Sequence, residues 1–149
     1  MIDLTYVAAL DIQSISGLTC LKHGFRPFLA ALENLVIRDC DELTSLWENG
    51  LGAESLCHLQ HLKIQGCPAL VSLEEQCLPC SLEYLEIKGC ANLEKLPNGL
   101  QNLTCLEKLR IEECPKLESF PQMGLPPMLR SLAIENCEGL KSLPCDDNT

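Results

Sequence analysis

Apolar positions recur along this chain in one order, L-x-x-L-x-I-x-x-C-x-x-L-x-x-[LF]. Five copies are complete: Leu32–Leu46, Leu59–Leu73, Leu82–Leu96, Leu106–Phe120 and Leu129–Leu143. A looser copy opens at Val7, with Leu10, Ile12, Ile15, Leu18 and Leu21 in the matching slots. In each copy the L-x-I step alternates, which places Leu and Ile on one face of a short strand and the residue between them on the other. The pattern predicts strands at 9–13, 34–38, 61–65, 84–88, 108–112 and 131–135. A whole coil separates each strand from the next, so the strands must run parallel. The return paths are short and rich in breakers, including Pro68, Pro79, Pro97-Asn-Gly99, Pro115, Pro121 and Pro126-Pro127. They predict turns and single helical or 3₁₀ turns in place of long helices. Helix propensity is best in Gly52–Leu59 and Gly99–Leu106, and both stretches are brief.

The central isoleucines, Ile12, Ile37, Ile64, Ile87, Ile111 and Ile134, lie 25, 27, 23, 24 and 23 residues apart. Self-similarity at this period resembles leucine-rich repeats. The expected fold is a leucine-rich-repeat solenoid of about six repeats. A parallel β-sheet would line its concave face, with short 3₁₀ or helical turns and loops on the convex face. Each coil would bury about six apolar side chains, at roughly 1.5–3 kcal/mol each, and no coil could bury its set without neighbours.

Composition narrows the function. Of 149 residues, 46% are apolar but only 4% aromatic, so the core must be aliphatic. The formal net charge of -10 makes nucleic acid and anionic membranes poor partners, because phosphate binding needs local positive charge. No apolar run reaches the length of about 18 residues expected of a membrane span. The start, Met1 to Leu10, carries Asp3 and no basic region, unlike a secretory signal. These features point to a cytoplasmic protein.

Five of the eleven cysteines, Cys40, Cys67, Cys90, Cys114 and Cys137, share one slot three residues after the central Ile. One cysteine per coil at fixed phase predicts a ladder of buried, reduced thiols, each a small hydrophobe whose S–H reaches a turn carbonyl. The first coil has Ile15 in that slot.

Three outward slots per strand should align in columns across the sheet. The first reads Ala9, Asn34, His61, Tyr84, Lys108, Ser131. The second reads Asp11, Val36, Lys63, Glu86, Arg110, Ala133. The third reads Gln13, Arg38, Gln65, Lys88, Glu112, Glu135. Opposite charges alternate at Lys63–Glu86–Arg110 and at Lys88–Glu112. Such pairs can simply hold the sheet in register. They can also form a mixed-charge binding patch of His61, Lys63, Tyr84, Glu86, Lys88, Lys108, Arg110 and Glu112, with Tyr84 as its aromatic anchor. Trp47 stands where later coils place Pro97, Pro121 and Pro144. It reads either as packing over the rim of the coil or as an exposed contact.

The wording Leu93-Glu-Lys-Leu96-Pro97-Asn-Gly99-Leu100-Gln-Asn-Leu103-Thr-Cys-Leu106-Glu-Lys-Leu109-Arg-Ile111-Glu-Glu-Cys114-Pro115-Lys-Leu117 resembles the C-terminal repeats of plant nucleotide-binding leucine-rich-repeat disease-resistance proteins of the coiled-coil subclass. The resemblance covers about residues 5–145. It implies a module that recognises a pathogen effector or a guarded host protein and, in a full-length parent, contacts the nucleotide-binding domain. No G-x-x-x-x-G-K-[ST] loop is present, so nucleotide binding by the family mechanism is not expected. The chain reads as a leucine-rich-repeat fragment, residues 1–149, without the nucleotide-binding and N-terminal signalling domains. Neither end carries a recognisable polar capping coil. Alternatives are the substrate-recognition repeats of an F-box ubiquitin-ligase adaptor, or a truncated relic without its own function.

No enzyme is expected. His23, His58 and His61 accompany no nucleophile motif, and no cofactor is implied. Cys77-Leu-Pro-Cys80 lacks the second ligand pair of a zinc site, so no metal is expected. The pairs Glu74-Glu75, Glu112-Glu113 and Asp146-Asp147 are expected on exposed, solvated slots. Asn102-Leu-Thr104 is a formal glycosylation sequon, but it is also how the repeat spells its approach to Leu106.

Overall fold

In a computed structural model of the chain, residues 7–22, 29–48, 55–74, 77–120 and 124–141 are described. Six strands occupy the positions the repeat predicts: β1 (Ala9–Gln13), β2 (Asn34–Arg38), β3 (His61–Gln65), β4 (Tyr84–Lys88), β5 (Lys108–Glu112) and β6 (Ser131–Glu135). They form one sheet in sequence order, every pair parallel. The register sets Ile12, Ile37, Ile64, Ile87, Ile111 and Ile134 in one row. A one-residue slip would turn every inward side chain outward, so the L-x-I alternation fixes this register.

The core is a stack of aliphatic rungs. Leu35, Ile37, Leu62, Ile64, Leu85, Ile87, Leu109 and Ile111 are all buried, backed by the Leu residues of the return paths. A 3₁₀ turn, Leu100–Asn102, lies inside the Gly99–Leu106 stretch. Residues 52–54 of the other candidate, Gly52–Leu59, lie outside the described residues, as do His23, Glu75 and Asp146-Asp147. No described helix is long and apolar enough to cross a membrane. Trp47 is buried in the core beside a short parallel bridge to Leu21, so it is not an exposed contact.

Backbone hydrogen bonds extend the sheet at both edges. Before each strand from β2 to β6, the coil's N–H groups reach back one coil; Glu83 and Tyr84 both donate to the Gln60 carbonyl, at 2.8 and 3.0 Å. After each strand comes a left-handed residue: Ser14, Asp39, Gly66, Gly89, Glu113 and Asn136, with φ between 51° and 67°. Five of these six donate their N–H to the last strand carbonyl of the next coil, each at 2.9 Å (Ser14 to Arg38, Asp39 to Gln65, Gly66 to Lys88, Gly89 to Glu112, Glu113 to Glu135). The kink ends each strand and turns the chain into the cysteine slot.

That slot is a second device of the turn. The slot carbonyl accepts the N–H three residues on, as Leu70 donates to Cys67 and Leu93 to Cys90. The slot thiol donates back to the carbonyl two residues before it, at 3.5 Å for Cys40 and Cys67, 3.9 Å for Cys90, 3.3 Å for Cys114 and 3.4 Å for Cys137. Cys40, Cys67, Cys90 and Cys114 are fully buried. Cys137 is only half-buried, against the expectation for the ladder, because among the described residues the sixth coil packs against a coil on one side alone. Ile15, in the first coil's slot, is 47% exposed for the matching reason.

Candidate functional site: the concave face of β3 to β5

The parallel register stacks the outward side chains in three columns. His61, Tyr84 and Lys108 face one another in the first, Lys63, Glu86 and Arg110 in the second, and Gln65, Lys88 and Glu112 in the third. All eight patch residues therefore sit on one continuous face, with a polar amide, Gln65, completing it.

Arg110 organises the centre. Its guanidinium donates to Glu112 Oε1 through Nε at 2.9 Å and Nη2 at 2.5 Å, lies 3.8 Å from the Glu86 carboxylate and reaches to 4.0 Å from Glu135. The planar fork of arginine suits this many-sided grip, and lysine could not reproduce it. Lys88 approaches the other Glu112 oxygen at 3.7 Å, and Gln65 Nε2 donates to Glu86 at 3.4 Å. The Arg110 hydrogen bonds hold the Glu112 carboxyl below its ordinary pKa against the opposing effect of desolvation.

Glu112 was expected on a solvated slot and is instead buried, as is Glu86. The reason is local: the Arg110 side chain lies across the sheet and covers both carboxylates while keeping them paired. Glu113, the other half of that acidic pair, is exposed.

The expected Lys63–Glu86 pair does not form within 4.0 Å among the described residues. Lys63 Nζ stands 5.7 Å from the Tyr84 ring centroid instead, within cation–π range, while Glu86 is taken by Arg110 and Gln65. His61 flanks the same ring at 6.2 Å between centroids, tilted by 41°. Burial first, then the neighbouring Glu86 charge, pushes the Tyr84 hydroxyl pKa upward, so the phenol stays a neutral donor. Tyr84 thus meets both a cation and an imidazole of β3 and stays half-buried.

Sequence reasoning missed a shallow cavity of about 360 Å³ beside this face. It runs along the edge where β3, β4 and β5 begin, lined by Cys57, His58, Ser81, Glu83, Cys105 and Glu107. The signal was present in the slots just before each strand, which are small or polar. Cys77 and Cys80 are exposed and line a different cavity, with Asn98 and Asn102 of the next coil, so His58 and Cys57 do not join them there.

Residues 69–137, from the turn after β3 through β6, match the family model described as R13L1/DRL21 leucine-rich repeats. Among solved structures, the leucine-rich-repeat domain of the type III effector XCV3220 (XopL) aligns over 92% of this chain, with a TM-score of 0.60 and 20% identity. The chain is a leucine-rich-repeat solenoid. The alignment covers 55% of that solved domain, so this solenoid spans little more than half of its length. At such identity the likeness concerns the fold alone. No curated protein matches the chain significantly. The solenoid differs from repeats with a helical convex side in having almost no described helix.

Proposed function

We propose that this solenoid is the protein-recognition module of an intracellular plant immune receptor, working in the cytoplasm and binding a pathogen effector or a guarded host protein on the face of β3 to β5. The observation that carries the reading is a coincidence of place. The segment matching the R13L1/DRL21 repeats includes β4 and β5, and these strands hold Tyr84, Glu86, Lys88, Lys108, Arg110 and Glu112. Leucine-rich-repeat solenoids work as surfaces, since each coil contacts only its neighbours and leaves one side chain column after another open. In a full-length parent the same solenoid would also contact a nucleotide-binding domain. Its own work is binding without catalysis.

The test has two arms. Tyr84→Ala combined with Lys108→Glu should abolish co-precipitation of the cognate effector or host protein while leaving the circular dichroism spectrum unchanged. Retained binding overturns the assignment of the face. Extension of the transcript in the 5′ direction should reveal a nucleotide-binding module in frame, whereas an encoded F-box would overturn the receptor reading.

A further inference from the structure

The face of β3 to β5 does not display its charges evenly. These strands carry four cations, Lys63, Lys88, Lys108 and Arg110, against two carboxylates, Glu86 and Glu112, in a chain of net charge -10. The two carboxylate side chains keep only 11% and 9% of their surface, whereas Arg110 and Lys88 keep 43% and 45%. Both carboxylates are also occupied by Arg110, Lys88 and Gln65. Lys108 is exposed, and Lys63 leans on an aromatic ring, not on an acid. What solvent meets on this face is therefore positive, although the protein is strongly negative.

We propose that this face takes an acidic, extended segment of a partner protein, with carboxylates on Lys63, Lys108 and the open edge of Arg110 and an apolar side chain against Tyr84. The proposal rests on the reading that this face is the recognition surface, and it adds the chemistry of the partner. Lys63 and Arg110 stand in one column two strands apart, a separation of about 10 Å at the spacing of neighbouring strands. A chain extended as polyproline II advances about 3.1 Å per residue and returns to the same side every third residue, so carboxylates three residues apart fit the two cations. Tyr84 lies between them in the neighbouring column, where an intervening apolar side chain would fall. A nucleic acid is disfavoured because the cationic area is short. Glu83 and Glu107 immediately precede β4 and β5, and Glu135 follows Glu112 in its column. A phosphate backbone would meet like charge beyond a few steps.

The test is a random peptide library displayed on phage and selected on residues 1–149. The expected consensus is acidic, with Asp or Glu three residues apart around an apolar position. The synthetic consensus peptide should lose about tenfold in affinity with Lys108→Glu and again with Lys63→Glu, and should weaken as salt rises. These two lysines are chosen because removing Arg110 would strand the buried carboxylates and disturb the fold. Selection of basic or uncharged peptides that still need Tyr84 would overturn the acidic partner and keep the recognition face. Binding indifferent to Tyr84→Ala, Lys63→Glu and Lys108→Glu would overturn both, and a selection that enriches nothing would overturn the acidic partner. Tighter binding of single-stranded oligothymidine than of the acidic peptide would overturn the proposal in favour of nucleic acid.

Discussion

In β3 and β4 the inward residues Leu62, Ile64, Leu85 and Ile87 are at most 1% exposed, whereas in β6 Leu132 keeps 37% of its surface. Leu10 and Ile12 of β1 and Ile134 of β6 are likewise only partly buried. The repeat wording is nearly the same in all these coils. The difference therefore lies in position and not in composition: in a solenoid, a coil's burial is completed by the coil on either side. The same rule sorts the thiols, since Cys90 is sealed between neighbours and Cys137 is not. The candidate recognition face sits on the well-buried coils, so its side chains project from the most fully packed part of the described sheet.

The largest expected effect comes from truncating one slot in the two regions. Leu85→Ala should cost about 2–5 kcal/mol, because the rungs above and below cannot collapse into the cavity. Leu132→Ala, at a site already open to water, should cost about 1 kcal/mol, with little cavity to leave behind. Urea denaturation of both variants measures the difference. Equal costs would show that the two coils are covered alike and would break the comparison.

The thiols give a smaller and chemically distinct contrast. Cys90→Ser should destabilise by roughly 1–3 kcal/mol, since a hydroxyl in an apolar slot loses more on desolvation than a thiol does. Cys137→Ser, half in water, should cost less. Burial pushes the Cys90 thiol from 9.0 to about 12 and the Cys114 thiol to about 11, and raises Cys67 as well. The folded state thus holds these protons where the unfolded chain releases them. Stability from this source is complete below pH 9 and falls as pH climbs through about 11 and 12. Thiol labelling should find Cys57, Cys77, Cys80 and Cys105 reactive in the native protein, and Cys90 and Cys114 only after unfolding. Rapid native labelling of Cys90 would contradict the sealed interior.

The strand bounds, the register and the columns were legible because they follow from one periodicity and need no knowledge of side-chain conformation. The burial of Glu86 and Glu112 was not, because it depends on where the long Arg110 side chain lies, and alternation alone assigns it only a direction. The choice of Lys63 between Glu86 and the Tyr84 ring is of the same kind. The left-handed residue after each strand was half legible. Gly66, Gly89, Asp39 and Asn136 are residue types that favour positive φ, but Ser14 and Glu113 break the pattern and hid it.

That column supplies the smallest predicted effect, since only the coils of β3 and β4 use glycine there and the other four do not. Glu113 sits at φ 54°, a conformation that costs an ordinary residue about 1–2 kcal/mol. Its side chain is exposed, while its N–H holds the sheet edge through Glu135. Glu113→Gly keeps that N–H and removes the backbone cost. It also frees the unfolded chain, which returns part of the gain. The net expectation is a stabilisation of about 0.5–1 kcal/mol. Gly89→Ala should do the reverse by a similar amount. A methyl group there would meet the Gly66 backbone nitrogen only at 3.7 Å, so the penalty comes from φ 67° and not from crowding. Denaturation midpoints of the two variants should move in opposite directions at unchanged slope. Destabilisation by Glu113→Gly would mean that the Glu113 side chain makes a contribution larger than the strain of its backbone.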